Sequence, residues 1–233
     1  MELGSSAMDM PEQGRRITAI RPQQRDPERV NLFLDGTFAF GLPLIVVAQE
    51  SLKVGDSLTP AQVTHLEALD EQVKAVNSSL NLLARRPRSE REVRDRLKRK
   101  GFPSETIDLA IAKLEGWRYV DDEAFAKFWI ENREANKPRG RRLLAQELRN
   151  KGVDRETIRE SIADADVNEL AGALELGRTK IRSYRTLEPA VAQRRLASFL
   201  ARRGYGYDVV KPVLAELFCG VVEESSDGDD DVE

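Results

Sequence analysis

The chain has 233 residues, of which 40% are hydrophobic and 33% charged, a composition typical of one large or two small globular domains rather than a membrane protein. With one cysteine, Cys219, and one histidine, His65, it excludes an intrachain disulfide and argues against a cysteine- and histidine-rich zinc site or a histidine-based catalytic triad. The net charge of −3 is unevenly spread: residues 74–222 hold 31 basic and 22 acidic side chains, residues 1–73 hold 6 and 11, and residues 223–233 hold 0 and 7.

Targeting segments are not evident in the sequence. No stretch approaches the roughly 18–20 continuous apolar residues that would span a bilayer. The first residues are acidic and lack the apolar segment of a signal peptide. We therefore expect a cytoplasmic protein without a membrane partner, in which Cys219 packs as a small apolar residue and His65 lies on a helix surface.

The first predicted elements form a small antiparallel sheet. Residues 17–20 and 30–34 have the pattern of short strands. Asp35 and Gly36, followed by a third strand-like run at 37–40, are a strong hairpin signal, because glycine tolerates the positive φ of a tight turn.

Two helices are predicted after the sheet. Residues 44–52 predict a short helix. Thr59 followed by Pro60 and Gln62 predicts the start of another, with Thr59 as N-cap and Gln62 completing a capping box.

From about residue 70 the sequence is helical, and one pattern occurs three times. Gly101, Gly152 and Gly204 stand 51 and 52 residues apart, and aligning them brings apolar residues into five common columns. The columns are Val93, Leu144 and Leu196; Leu97, Leu148 and Leu200; Phe102, Val153 and Tyr205; Ile107, Ile158 and Val210; and Ile111, Ile162 and Leu214. Each copy predicts a helix, a glycine at the C′ position that ends it, and a second helix. A further helical run precedes each pair, at 71–86, 122–135 and 167–184.

Capping side chains mark several helix starts in these copies. Ser89 with Glu92 predicts a capping box, and Ser104 and Asp154 predict N-caps of the helices that follow the first two glycines. The acidic run 121–123 predicts an N-cap and first turn rather than a metal site, because the helix dipole favours negative charge there.

Motifs that would hold a nucleotide, zinc or calcium are absent, so the sequence predicts neither enzymatic activity nor a cofactor. What remains is a set of basic side chains, the predicted partner- and DNA-binding residues. They are Arg85, Arg86, Arg88, Arg91, Arg94, Lys98, Arg139, Arg141, Arg142, Arg149, Arg194, Arg195, Arg202 and Arg203.

An arginine precedes each repeat glycine by ten residues, at Arg91, Arg142 and Arg194. Arg91 shares one helix face with Arg94 and Lys98 and stands in a first turn, where a cation opposes the helix dipole. We therefore expect it to meet an external phosphate or carboxylate, for which the guanidinium fork is suited. A merely solvated basic face is the alternative.

The aromatic side chains Trp117, Tyr119, Phe125, Phe128 and Trp129 cluster in sequence instead of alternating with the basic residues. This spacing favours packing between the first and second copies over a stacking platform for single-stranded bases.

The chain resembles the RecX family of regulatory proteins in four separated segments. They are residues 83–93 (LARRPRSEREV), 119–126 (YVDDEAFA), 139–153 (RGRRLLAQELRNKGV) and 199–205 (FLARRGY). The segment 33–41 (FLDGTFAFG) is similar to the N-terminal extension of some members. The likeness covers some 200 residues.

The resemblance implies a non-enzymatic modulator of the RecA recombinase. Its tandem three-helix units would lie in the groove of a RecA–DNA filament and restrain filament growth, strand exchange and ATP hydrolysis, with a role in recombination, DNA repair and the SOS response. The expected partners are the RecA filament and single- or double-stranded DNA, and the expected state is a monomer. A free-standing nucleic-acid-binding helical repeat and a protein–protein scaffold stay open as alternatives.

The predicted fold is mostly α: tandem three-helix repeats form an elongated, curved array, with a small N-terminal antiparallel β segment (α+β overall). Six segments are expected: a disordered tail (1–15), a β-hairpin and helix domain (16–69), three-helix repeats at 70–118, 119–165 and 166–220, and an acidic disordered tail (221–233). The acidic tail is expected to shield the basic face until a partner displaces it.

Overall fold

A computed structural model describes residues 14–165 and 167–218. The predictions for Cys219, for the acidic tail and for nearly all of the N-terminal tail lie outside the described residues. The strands are β1 (Arg15–Pro22), β2 (Arg29–Leu34), β3 (Thr37–Pro43) and β4 (Ser57–Leu58). The helices are α1 (Leu44–Gln49), α2 (Pro60–Leu83), α3 (Glu90–Arg99), α4 (Ser104–Gly116), α5 (Asp122–Asn136), α6 (Arg141–Asn150), α7 (Arg155–Asp164), α8 (Glu169–Ile181), α9 (Pro189–Arg202) and α10 (Tyr207–Phe218), with a 3₁₀ turn at Arg182–Tyr184.

These elements confirm the predicted fold class, mostly helical with a small N-terminal antiparallel sheet. The sheet has the order β3-β2-β1-β4. The predicted hairpin joins β2 to β3 through Asp35 (φ 50°) and Gly36 (φ 82°), and two successive positive φ values define the tight turn that the sequence signals. Strand β4 is not predictable from the sequence, because two residues are too few for an alternating pattern.

Contacts divide the chain into two compact units. Among the described residues, the first unit contains 14–85 together with 94–119, and the second contains 86–93, 120–165 and 167–218. Helix α2 runs without a break through residue 69, where the sequence divides the N-terminal domain from the first repeat. The six predicted segment boundaries stay predictions.

The core of the first unit lies against the sheet. Val30, Leu32 and Leu34 alternate with partly exposed residues along β2, so one face of the strand is buried. At the start of β2, Arg29 Nη2 donates to Asp70 Oδ1 at 2.7 Å. The predicted cap of α2 is confirmed, since Thr59 and Gln62 form a complete capping box. His65 lies on the exposed face of the same helix, as expected.

The three helix–glycine–helix copies form as predicted, as α3–α4, α6–α7 and α9–α10. Gly101, Gly152 and Gly204 have φ values of 88°, 93° and 93°, a backbone region that side chains rarely adopt. The amide of the next residue donates to the carbonyl four residues before the glycine in each copy, at 3.2–3.3 Å, which is the Schellman motif. The two apolar columns that precede the glycines are fully buried at all six positions.

Helix α4 ends in the same motif without a glycine. Arg118 occupies the C′ position with φ 58°; its amide donates to the carbonyl of Glu115, and the amide of Tyr119 donates to that of Leu114. A left-handed conformation costs a non-glycine residue about 1–2 kcal/mol. The chain therefore keeps a side chain here at an energetic cost.

Successive copies in the second unit meet through these glycines. A Cβ atom on Gly152 would lie 2.5 Å from Arg91 Cβ at the start of α3, and one on Gly204 would lie 2.5 Å from Leu143 Cβ at the start of α6. Close to each contact a donor bonds the carbonyl just before the glycine: Ser89 Oγ to that of Lys151 at 2.6 Å, and the amide of Gly140 to that of Arg203 at 3.0 Å.

The third copy begins differently. Ser89 and Gly140 stand twelve residues before their own glycines, whereas Glu188, the N-cap of α9, stands sixteen before Gly204. Ala192 is the residue twelve before Gly204. Because of the extra turn, its amide donates to the carbonyl of Glu188 at the start of α9, at 2.9 Å.

Two of the predicted caps need correction. Ser104 is the first residue of α4 and not its N-cap, because the carbonyl of Pro103 already accepts from the amide of Ile107 at 3.0 Å. Ser89 Oγ accepts from the amide of Glu92 as expected, but the Glu92 carboxylate, predicted to complete the box, pairs with cations instead. The N-cap at Asp154 is confirmed.

Candidate functional site

Glu92, which is largely buried near the start of α3, forms ion pairs with two of the predicted arginines, Arg86 and Arg88. Its carboxylate accepts from Arg86 Nη1 and Nη2 at 3.1 and 2.9 Å and from Lys151 Nζ at 2.7 Å, and Arg88 Nη1 lies 4.0 Å away. Burial alone would raise the pKa of Glu92, but the hydrogen bonds from Arg86 and Lys151 outweigh it and hold the pKa below its ordinary value. Arg86 and Arg88 thus act within the fold.

A second carboxylate, Glu147 on α6, organises another group of side chains. It accepts from Trp129 Nε1 at 2.9 Å and from Arg133 Nε at 2.7 Å, and Arg139 Nε lies 3.7 Å away. Arg133 and Lys151 also lie over the Trp129 ring, at 4.4 and 5.0 Å from its centroid. Arg139 is therefore committed to an internal ion pair.

Arg91 and Arg94 have local roles that the sequence did not indicate. The aliphatic stem of Arg91 packs on Gly152, and Arg91 also has an interaction partner within the chain. Arg94 forms an ion pair with Asp108 of α4. The contact between copies explains the first-turn position of Arg91 without an external acidic group.

Five arginines line a groove of about 510 Å³ between α6 and α7, which we call the arginine groove. They are Arg141, Arg142, Arg149, Arg155 and Arg159, with Ala145, Ile158 and Ile162 as the apolar part of the lining.

The arginines of the groove differ in their partners. Arg141 Nε lies 3.7 Å from Glu169 Oε2, and Arg159 Nη2 lies 3.3 Å from Glu156 Oε1. Arg142, Arg149 and Arg155 are exposed and form no ion pair with any residue that the structure describes. The groove therefore offers at least three guanidinium groups to an external anion.

Three of the predicted residues meet in this groove, and two further arginines were missed. Arg141, Arg142 and Arg149 were expected from the sequence. Arg155 and Arg159 follow the Asp154 N-cap and lie four residues apart, a spacing that puts both on one face of α7. The spacing of Arg155 and Arg159 is the sequence signal for this face of α7, whereas the repeat pattern points to the basic residues of the helix before each glycine.

The other predicted basic residues are distributed elsewhere. On α9, Arg194, Arg195 and Arg202 are exposed, whereas Arg203 is half-buried with its guanidinium 5.1 Å from the Phe199 ring centroid. In the first unit, Arg85 and Lys98 are exposed.

The acidic run 121–123 forms the N-cap and first turn of α5, as expected. Asp121 accepts from the amide of Ala124 at 2.9 Å. Asp122 accepts from the amide of Glu90 at 2.8 Å and so also holds the start of α3, a role that the sequence did not indicate. Burial raises the pKa of Asp122 above its ordinary value.

Residues 14–165 and 167–218 contain neither a cluster of metal ligands nor a membrane-spanning helix. No group of three or more His, Cys, Asp or Glu side chains is arranged to hold a metal ion. No helix in these ranges is long and apolar enough to cross a membrane.

The predicted aromatic cluster is divided. Phe125 is buried in the second unit and tilts against Trp129, with 5.9 Å between ring centroids. Trp117 and Tyr119 are instead 49% and 58% exposed, so neither belongs to the core of the first unit, and their predicted packing role stays a prediction. Sequence spacing alone could not show this, because the turn at Arg118 decides where both rings point.

Four family models match the chain. "Regulatory protein RecX N-terminal domain" matches residues 15–59, and the RecX first, second and third three-helix domains match 75–114, 121–162 and 168–214.

Individual proteins agree with these models. A Regulatory protein RecX from Clostridium botulinum (strain Eklund 17B / Type B) is 32% identical over 204 residues, covering 86% of this chain and 95% of the relative. One from Bacillus subtilis (strain 168) is 29% identical over 202 residues, covering 86% and 76%.

Solved structures agree as well. A crystal structure of regulatory protein RecX superposes with a TM-score of 0.75 at 25% identity, covering 85% of this chain and 98% of that one. RecX from Lactobacillus salivarius shares the fold, with a TM-score of 0.59 at 22% identity over 65% of this chain and 99% of that one.

Proposed function

Because the chain belongs to the RecX family, whose members are regulatory proteins rather than enzymes, we propose that it binds a RecA–DNA filament and inhibits the recombinase and ATPase activities of RecA. It would thereby modulate recombination and DNA repair, acting as a monomer in the cytoplasm.

The arginine groove is the observation that carries this proposal. Arg142, Arg149 and Arg155 have no partner among the described side chains, and the fold does not explain why three cations should line one groove. Like charges in a concave surface repel one another, and an anion that enters relieves the repulsion. The DNA backbone of a filament supplies regularly spaced phosphates, and acidic side chains of RecA could supply carboxylates.

The internal ion pairs narrow the predicted set of binding residues. Arg86, Arg88, Arg94 and Arg139 balance carboxylates of this chain, so their loss is expected to lower stability first. We assign to binding the members on α6 and α9 whose side chains are exposed, including Arg141 despite its ion pair with Glu169, and they are Arg141, Arg142, Arg149, Arg194, Arg195 and Arg202. Arg155 and Arg159 join them.

The test is DNA-dependent ATP hydrolysis by RecA, titrated with this protein. The parent chain should inhibit hydrolysis, and Arg142→Glu/Arg149→Glu should lose most of that inhibition while its circular dichroism is unchanged. Arg25→Glu/Lys53→Glu is the matched control, because it makes the same charge change at two exposed positions of the first unit. Equal loss of inhibition in both double variants would show that net charge, and not the groove, is responsible.

A second measurement separates the main alternative. If the protein leaves RecA hydrolysis unchanged and binds bare single-stranded DNA as tightly as the RecA-coated strand, it is a free-standing nucleic-acid-binding repeat protein. Phosphate contacts predict a steep fall of DNA affinity with salt, by a slope of about −0.7 per phosphate on a single strand. A protein–protein scaffold predicts almost no slope.

A further inference from the structure

Two aromatic rings stand together on the surface at the end of α4. Trp117 and Tyr119 are 49% and 58% exposed, and they meet edge to face with 6.3 Å between ring centroids and 87° between ring planes. The chain has two tryptophans. Trp129 donates a hydrogen bond to Glu147 within the fold, whereas half of Trp117 is exposed to solvent. The pair is therefore not explained by the core of the unit that carries it.

Arg118, which stands between the two rings in the sequence, is an exposed cation in a strained backbone conformation. Arg118 is left-handed at a position where the corresponding turns after α3, α6 and α9 all use glycine. Glycine would form the same turn without strain, so the side chain at 118 is retained for another reason. Strained backbone is concentrated at functional sites, although Asp35 and Ser51 in turns of this chain also have positive φ.

The surroundings of the rings carry positive charge and apolar area. Lys113 Nζ lies 5.2 Å from the Trp117 ring centroid. Leu109, Lys113 and Trp117 are spaced by four residues along α4, which places them in one stripe, and Leu109 is 51% exposed. Within residues 113–119, Lys113 and Arg118 outnumber the one acidic side chain, Glu115.

We propose that Trp117 and Tyr119 form a stacking site for unpaired bases of a single-stranded nucleic acid, with Lys113 and Arg118 on the adjoining phosphates. Exposed aromatic faces beside cations are the combination by which proteins hold single strands without reading their sequence. A duplex cannot use the site in this way, because its base faces are already stacked. The inference rests on the proposed function only in that both have nucleic acid as a partner, since this site lies in the first unit and the arginine groove in the second.

The experiment measures binding of a fluorescently labelled oligothymidylate by anisotropy, over a range of salt concentrations. Trp117→Ala and Tyr119→Ala should each weaken binding roughly 5- to 150-fold, the effect of losing one stacked base, and should leave the salt dependence unchanged. Leu109→Ala removes an exposed apolar side chain from the same stripe and should change affinity less than about twofold. By contrast, Arg142→Glu/Arg149→Glu should flatten the salt dependence, so failure of this site and failure of the groove have different signatures.

Arg118→Gly separates binding from folding. Removing the strain should raise the melting temperature, whereas removing the cation should weaken oligothymidylate binding several-fold, and a merely structural role predicts only the first change. Unchanged oligothymidylate affinity in both aromatic variants would overturn the proposal. It would also be overturned if those variants lost RecA inhibition but bound the oligonucleotide normally, because the rings would then contact protein.

Discussion

Replacing each repeat glycine by alanine should reveal how strongly neighbouring copies are coupled. The cost that all three variants share is the positive φ, about 1–2 kcal/mol, less about 0.4–1 kcal/mol for the reduced freedom of the unfolded chain. At Gly101 no atom lies within 4 Å of the added methyl group, so Gly101→Ala should cost only about 1 kcal/mol.

Gly152 and Gly204 carry a second cost, because the methyl group would enter the preceding copy. At Gly152 it would lie 2.5 Å from Arg91 Cβ and 2.6 Å from Arg91 Cδ, both in the stem of a long side chain. At Gly204 it would lie 2.6 Å from the backbone nitrogen of Leu143 and 3.0 Å from the carbonyl oxygen of Gly140, and backbone yields less readily. Overpacking adds about 1–3 kcal/mol, so we expect Gly101→Ala to be the mildest change and Gly204→Ala the most severe.

The assay is urea unfolding followed by far-ultraviolet circular dichroism, which gives the free energy of unfolding of each variant. Arg91→Ala in the Gly152→Ala background should recover part of the loss, since it removes Cδ but keeps Cβ, and it should have no such effect in the Gly101→Ala background. If all three alanine variants lose the same free energy to within about 0.5 kcal/mol, the contact between copies does not require glycine and the reasoning fails.

Three further predictions concern the charge network, the core and the tail. Glu92→Gln should lose about 1–3 kcal/mol of unfolding free energy near neutral pH. Because the pKa of Glu92 is lowered in the folded state, this difference from the parent should shrink as pH falls below the ordinary carboxyl range. Urea unfolding at several pH values would refute the prediction if the difference stayed constant. Leu148→Ala should cost about 2–5 kcal/mol in the same assay, whereas the exposed Gln146→Ala should be nearly neutral. Removing residues 223–233, which carry seven carboxylates, should strengthen DNA binding at low salt, and equal affinities there would reduce the tail to a solubilising segment.

The repeated architecture was predictable because it depends on local rules that leave a mark at every copy. The left-handed turn favours glycine, and the two buried columns before it hold only Val or Leu at fixed offsets, so the three copies could be aligned without any structure. The hairpin at Asp35 and Gly36 was predictable for the same reason. The exact residue at which a helix begins is less predictable from pattern alone, as the N-cap of α4 shows: it is Pro103 and not Ser104.

The binding residues were predicted less completely, because exposure and pairing depend on distant parts of the chain. The sequence shows that Arg86 and Arg142 are both basic. It does not show that Arg86 forms an ion pair with Glu92, whereas Arg142 has no ion-pair partner among the described residues. Likewise, nothing in the spacing of Trp117 and Tyr119 reveals that the turn between them is left-handed and leaves both rings exposed.

The additional turn of α9 limits where a duplicated three-helix unit can be added to the chain. In the first two copies a donor at the helix start bonds the copy that follows, but in the third the equivalent amide, that of Ala192, is satisfied by Glu188 of its own helix. A duplicated unit added after Phe218 would find that hydrogen-bonding group already occupied, whereas one inserted before α8 would find the usual donor. We therefore expect lengthened descendants of this chain to acquire new units internally, with the α9 type of helix start kept in the last one.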